Sequence, residues 1–450
     1  MAQLADAITR YHKLLEGDAY RDLTWAAELQ HQMREQQLTD AGRLLTAVLR
    51  PHFVSRRQLD SLTRVSEHLA SILDQVEALA LECPPLLNRI QMLPAEKMLA
   101  AIPSRYSRLS VTSRMDASVH NGDLCLRGFD ASKPAGFAYS EPLADLFLNL
   151  PLVKSFKRGR YKLSKIGGAK HLLAAVLEAW KESGGRARPN IAILEVAQPS
   201  ASNGTEGRLL AELFTRAGSP ARVVSPEELE YSGGKLRADN FSIDIVFRRV
   251  LTRELLTRYD LSHPFLRAYR EGAVCVVNDF RSEVAQRRAL FELLTDESIT
   301  ARFPAADRRL LSNFVPWTRF VSPRKTRYKD QDIDLPEFIV RCREQLVLRP
   351  NDHECDQRVF VGAEMSSSAW DHALRIALRT PYVVQERFSC GPQLFPLYQY
   401  GELQMKRAEV SVQPHVLNGK VHGLSAALEV STAGCSTPFA IAPVLLLEPV

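Results

Sequence analysis

The sequence predicts a mixed α/β (α+β) fold, and three observations carry that expectation. Apolar residues recur at helical spacing through residues 1–95. Short apolar runs alternate with helical segments between residues 189 and 280. Two stretches of alternating polar and apolar residues flank the pair Asn121-Gly122.

In the first stretch, Leu59, Leu62, Val65, Leu69, Ile72 and Val76 fall on one helical face. Leu44, Leu45, Val48 and Leu49 show the same spacing. Pro51 and the Pro84-Pro85 pair punctuate the run, so an N-terminal helical region packed as a cap is expected. Next, Leu109, Val111, Ser113 and Met115 share one face of a strand, and Leu124 and Leu126 share one face of another. Asn121-Gly122 between them predicts a tight hairpin turn. A helix is expected over 170–182, ending at Gly184-Gly185.

Between 189 and 280 the expected strands are Ile191-Ala192-Ile193-Leu194-Glu195-Val196, Ala221-Arg222-Val223-Val224, Ile243-Asp244-Ile245-Val246-Phe247 and Ala273-Val274-Cys275-Val276-Val277-Asn278. A helix over 207–217 follows the first of them. Strands alternating with helices imply a parallel sheet, so this is a Rossmann-like α/β unit. Ser232-Gly233-Gly234-Lys235 lacks the phosphate-loop spacing and reads as a turn between strands. Beyond Pro316, strands are expected over 345–349, 359–362 and 382–386, with a helix over 369–378. The apolar segment 438–447 is too short to span a membrane and suits a buried strand.

Composition narrows the function. In 450 residues, 58 Lys and Arg against 52 Asp and Glu leave a charge of +6. So mild an excess is compatible with an anionic ligand and does not single out nucleic acid. The seven cysteines form no CxxC pair, which fits reduced thiols in a cytoplasmic protein. The charged N-terminus has no apolar core of a signal peptide, and no uncharged apolar stretch reaches membrane-spanning length.

Candidate chemistry centres on residues 346–388. Arg349 ends one strand, a polar loop covers 351–358, and Gln385-Glu386 ends another strand. A cation and an acceptor pair so placed could hold phosphate and adenine or ribose on opposite sides of a cleft. An ordinary sheet with a surface Arg and Glu fits the same spacing. The basic run Lys154, Lys157, Arg158, Arg160, Lys162, Lys165 and Lys170 reads as a solvated face or a phosphate contact. Asp352-His353-Glu354-Cys355 is not expected to bind metal, because adjacent side chains cannot all converge on one ion. HExxH, GxSxG and GxGxxG are absent.

The segment Leu346-Val347-Leu348-Arg349-Pro350-Asn351-Asp352, followed by Ala369-Trp370, Ala373-Leu374 and Pro381-Tyr382-Val383-Val384-Gln385-Glu386-Arg387, resembles the circularly permuted ATP-grasp proteins related to glutathionylspermidine synthase. Further blocks resemble that family in the same order. They are Ser113-Arg114-Met115-Asp116, Pro134-Ala135-Gly136-Phe137-Ala138-Tyr139-Ser140, the run from Ile243 to Thr252, Val276 to Ser282, and Val315-Pro316-Trp317-Thr318-Arg319. The resemblance covers roughly residues 100–430.

It implies an ATP-grasp-like fold with circular permutation, laid out as an N-terminal helical region (1–100), a segment with the metal-ligand hairpin (101–185), a Rossmann-like unit (186–300) and a nucleotide-binding part (301–450). It also implies ATP and Mg²⁺ as cofactors, with small-molecule carboxylate and amine substrates and a possible partner protein. A membrane is not implied, and nucleic acid is not the expected partner. Carried over residue by residue, Arg114 is catalytic, Asp116 and Asp130 hold metal, and Arg349, Gln385 and Glu386 bind the nucleotide.

The sequence departs from the family pattern in five places. Gly128 stands where the family has a metal-binding Glu, and Asp130 where it has Asn. Arg349 replaces a lysine, which changes a point charge into a planar fork. His353-Glu354-Cys355-Asp356-Gln357-Arg358 replaces a glycine-rich phosphate loop, where bare amides would approach phosphate. Ala427 stands where an Arg is expected. Two readings follow. One is an ATP-dependent carboxylate–amine ligase with reduced or lost ATP and Mg²⁺ chemistry; the other is a non-catalytic binding or assembly module on the same scaffold, a pseudoenzyme.

Overall fold

A computed structural model describes residues 2–40, 42–120, 123–196, 205–352, 358–388, 391–432 and 435–450. Helices α1 (Ala2–Leu15) and α2 (Thr24–Glu35) bury Tyr11, Leu29 and Met33 against Phe147, Phe156 and Leu445. The two-residue strands β1 (Thr39–Asp40) and β2 (Arg43–Leu44) pair with each other, and β3 (His52–Val54) joins a larger sheet. The helical spacing of Leu44, Leu45, Val48 and Leu49 is therefore misleading. The Leu49 amide donates to the Pro396 carbonyl at 2.8 Å, and its carbonyl accepts from the Tyr11 hydroxyl at 2.6 Å. Gly42, at φ 77°, and Pro51 confine the segment, and a helix this short has a costly nucleus.

Helix α3 (Arg56–Glu82) begins at a capping box. The Gln58 amide donates to Ser55 Oγ at 3.3 Å, and the Ser55 amide donates to Gln58 Oε1 at 3.0 Å. Helices α4 (Pro84–Ile90) and α5 (Pro94–Ala100) each start on a proline, whose fixed φ suits a first turn. The expected hairpin forms from β4 (Thr112–His120) and β5 (Asp123–Asp130), starting three residues later than the spacing suggests. Its Asn121-Gly122 turn lies outside the described residues. Helices α6 (Ser140–Asn149) and α7 (Pro151–Lys157), strand β6 (Tyr161–Lys165) and helix α8 (Ala169–Glu182) follow, and the basic run is spread over the last three of these and the turns between them.

The α/β unit contains β7 (Ile191–Leu194), α9 (Thr205–Arg216) and β8 (Ala221–Val224). An antiparallel meander of β9 (Leu229–Ser232), β10 (Lys235–Ala238) and β11 (Phe241–Ile243) comes next. Gly233 and Gly234, at φ 59° and 72°, make the tight turn in it that an L side chain would strain. Strand β12 (Ile245–Arg248), helices α10 (Thr252–Arg258) and α11 (Pro264–Arg270) and strand β13 (Cys275–Val277) complete the unit. Its sheet is parallel, in the order β13-β12-β7-β8. Ile191, Ile193, Ile245 and Phe247 pack toward α8, and Ala192, Leu194 and Val246 toward Phe265 and Leu266 of α11. Both faces are covered, as a parallel sheet requires.

At the end of β12 the Arg248 side chain is fully buried. It pairs with Glu283 at 2.8 Å, and also donates to Thr252 Oγ1 at 2.9 Å and to the Asn278 carbonyl at 3.0 Å. Glu283 opens α12 (Glu283–Gln286) and also accepts from Ser132 Oγ, just beyond β5. The pair thus ties the α/β unit to the hairpin.

Helices α13 (Leu290–Leu294), α14 (Glu297–Thr300) and α15 (Ala305–Phe314) follow. Glu292 of α13 is buried and binds Arg89 at 2.6 Å, Arg324 at 2.7 Å and the Phe320 amide at 2.6 Å. Burial alone would raise its carboxyl. Arg324, the Phe320 amide and Arg89 reverse that and hold it below its ordinary value. A carboxylate so held contributes stability above its unfolded value, and the contribution is lost as pH falls through the folded one. Glu292→Gln is therefore expected to cost roughly 2–3 kcal/mol at neutral pH. Melting curves between neutral and acid pH check this, because the unaltered protein must lose more stability on acidification than the variant does.

The rest of the chain supplies β14 (Thr318–Phe320), β15 (Lys325–Tyr328), β16 (Gln331–Asp334), α16 (Leu335–Arg341), β17 (Leu346–Pro350), β18 (Phe360–Val361), α17 (Ser367–Ala377) and β19 (Tyr382–Glu386). Strands β20 (Gln393–Gln399), β21 (Glu402–Leu417), β22 (Lys420–Thr432) and β23 (Cys435–Pro449) close it. Most of them enter one large sheet in the order β14-β19-β17-β18-β23-β22-β21-β4-β5. Strand β20 adds to β21, and β3 and β6 add to β23. The sheet curls, because Gln385 Nε2 on β19 comes within 3.5 Å of the Arg127 carbonyl on β5. Among the described residues no helix is long and apolar enough to cross a membrane.

Candidate functional site

Strands β4, β5, β21 and β22 have one apolar and one polar face. Met115, Ala117, Phe129, Val410, Val412, Leu424, Ala426 and Leu428 pack against α3. The opposite face carries Arg114, Asp116, Asp130, Gln413, His415 and Ser425. Alternation from Leu124 and Leu126 puts Cys125 and Arg127 on this polar side. A bulge shifts the register between Asp116 and Ala117. Leu126 and Phe129 therefore both face the core, with Arg127 and Gly128 between them.

The curl of the sheet brings this face against β17 and β19. The cleft between them is lined by Arg127, Arg349, Gln385, Glu386, Glu409 and Glu429, among others. Its described walls enclose about 40 Å³, room for water or one small anionic group. Register places Arg349 and Val347 on adjacent pairs with Val383 and Gln385, so the expected nucleotide residues do meet in one place. Gln385 Nε2 donates to Thr318 Oγ1 at 3.1 Å. The Glu386 carboxylate accepts from the Tyr328 hydroxyl at 2.6 Å and the Trp317 amide at 3.3 Å.

Arg349 stands apart from these satisfied groups. Its guanidinium makes no hydrogen bond or ion pair with any described residue, and its Nε is buried. Burial, then repulsion from Arg127 and Arg288, pushes it down to about 9. Arg127 behaves in the opposite way. Burial would lower it, but Glu429, Asp116 and Glu409 raise it above its ordinary value. Its Nη2 pairs with Glu429 at 2.9 Å.

The three residues expected from the hairpin lie deeper on the same face. Arg114 is directly opposite Asp130, and their charged atoms are 3.6 Å apart. Asp130 Oδ1 also accepts from the Ser132 and Lys133 amides, at 3.2 and 3.3 Å. Asp116 is directly opposite Gly128 and accepts from Gln413 Nε2 at 3.1 Å. Gln413 Oε1 accepts from Ser425 Oγ at 3.1 Å, and Ser425 Oγ is 3.0 Å from His415 Nε2. Since the Ser425 proton goes to Gln413, His415 must donate from Nε2. Burial and Arg114 push the His415 ring down to about 3, so it stays neutral in this role.

This donor set does not fit a divalent ion held between phosphates. Gly128 offers no side-chain oxygen, Asp130 is turned onto its own loop and Arg114, and Asp116 is shared with Gln413. Among the described residues, no three His, Cys, Asp or Glu side chains are grouped to hold a metal. The replaced phosphate loop at 353–357 lies outside the described residues. Sequence reasoning missed Arg127, Glu409 and Glu429. The available signals were that Arg127 adjoins the departing position Gly128 and alternates with Leu124 and Leu126.

No protein-family model and no curated protein matches the chain. Its coordinates superpose on a glutathione synthetase-like effector from Globodera pallida, in the apo form, with a TM-score of 0.61. That match covers 96% of this chain and 98% of that one at 13% identity. The chain shares the fold of that glutathione synthetase-like effector. A putative gamma-glutamylcysteine synthetase from Methylobacillus flagellatus KT aligns at TM-score 0.43 and 11% identity, over 88% of this chain and 89% of that one.

Proposed function

We propose that the chain is a circularly permuted, ATP-grasp-derived binding protein whose cleft takes a phosphate-bearing ligand, with metal-dependent ligase chemistry reduced or lost. One observation carries this reading: Arg349 is half-buried, its Nε is buried without a protein partner among the described residues, and it shares the cleft with Gln385 and Glu386. A desolvated guanidinium is costly until an anion reaches it, and its fork suits phosphate oxygens. The hairpin β4–β5 precedes the other cleft strands by well over two hundred residues and yet completes their sheet, which supports the permuted arrangement.

The second reading is an active carboxylate–amine ligase using ATP and Mg²⁺, with Arg114 catalytic and Asp116 and Asp130 on the metal. It is favoured by Gln385 and Glu386 standing beside a strand cation in a ligase-type fold. Calorimetric titration with ATP separates the two readings. Binding that persists in EDTA is the expected result. Binding that needs Mg²⁺ and vanishes in Asp116→Ala supports the ligase instead. No heat at millimolar ATP in either buffer sinks both.

A further inference from the structure

We propose that Arg127 is a built-in cation that takes the place of a divalent metal in this cleft. The inference rests on the anion-binding reading above, and it names how the cleft neutralises its ligand. Glu409 and Glu429 face each other directly across β21 and β22. Asp116 is on the neighbouring strand β4 and is held by Gln413 from β21. The three carboxylates are not grouped closely enough to hold a metal themselves, yet all three act on one cation.

The cation here is the Arg127 guanidinium. It is buried, bonded to Glu429 at 2.9 Å, and within electrostatic reach of Asp116 and Glu409. It sits at the bulge at Asp116/Ala117, on the face opposite Leu126, which is in the core under α3. Adjoining it, Gly128 has no side chain to compete for the space. Arg127 also lines the same cleft as Arg349, so the two guanidiniums meet an incoming anion together. A tethered guanidinium supplies charge and directed donors without a metal's coordination demands.

The test uses Mn²⁺ and the full chain, followed by electron paramagnetic resonance and calorimetry. The unaltered protein is expected to bind no stoichiometric Mn²⁺ at millimolar metal. Arg127→Met removes the resident charge and keeps the bulk, so Mn²⁺ affinity is expected to rise about tenfold or more. ATP binding by that variant should become dependent on Mn²⁺, while Arg127→Lys, which keeps the charge, should stay metal-silent. A stoichiometric Mn²⁺ site in the unaltered protein overturns the proposal, and so does an Arg127→Met protein that folds and gains no metal. If Arg127→Met fails to fold, the unaltered protein and Arg127→Lys still decide. The Mn²⁺ result stands apart from ATP binding, so a cleft that takes no ATP sinks the functional reading without touching this one.

Discussion

Replacing Arg349 with methionine should weaken binding of a phosphate-bearing ligand on the order of a hundredfold, because two charge-assisted hydrogen bonds of about 1.5 kcal/mol each are lost. The same change should leave the fold unharmed or raise its melting temperature. Arg349 is pushed down by burial and by Arg127 and Arg288, so its folded-state charge is a net cost to stability. Opposite signs for affinity and stability are the signature of a group kept for its ligand. Arg349→Glu should abolish binding outright, and Arg349→Lys should recover part of it as a point charge in place of a fork. Titration with ATP and with pyrophosphate, beside thermal melts, reads both signs. An unchanged affinity in Arg349→Met would place the anion elsewhere on the molecule.

The largest expected effect on stability is at Arg248. Its side chain is fully buried, and removing it leaves Glu283 as an uncompensated buried charge. Arg248→Ala should cost about 3–5 kcal/mol, the range for breaking one partner of a buried pair. That is a large fraction of the roughly 5–15 kcal/mol typical of a domain. Phe280, whose ring lies 5.0 Å from the guanidinium, loses its contact as well. Urea unfolding should show a lower midpoint. The double variant Arg248→Met with Glu283→Leu should recover much of the loss, since no charge is then stranded. If the double variant is no better than the single one, the loss comes from the cavity and not from the ion pair.

Elements with a strong local signal were legible in the sequence. The α/β unit follows from the alternation of apolar runs with helical segments, and its strands at 191–194, 221–224 and 275–277 lie within the expected ranges. Strand 382–386 and helix Ser367–Ala377 were similarly plain. Leu44 to Leu49 misled because four apolar residues between a glycine and a proline have helical spacing but too little length. In the site, Arg349, Gln385 and Glu386 were visible because they end apolar strands. Arg127 was not, because parity with Leu124 and Leu126 gives its face but not its partner, Glu429, which comes from a strand about three hundred residues on. Glu409 and Glu429 were hidden for a different reason. Only the pairing of β21 with β22 makes them neighbours.

The strand order has a consequence for how the protein is made. During synthesis β4 and β5 emerge early, and β17 and β19 emerge more than two hundred residues later. No strand pairing connects the two sets until β21, β22 and β23 have left the ribosome and filled the gap between them. Contacts so distant along the chain slow folding, and the early hairpin must wait with its apolar side sheltered mainly by α3. A nascent chain stopped before residue 402 would therefore carry every arginine of the cleft and still have no cleft.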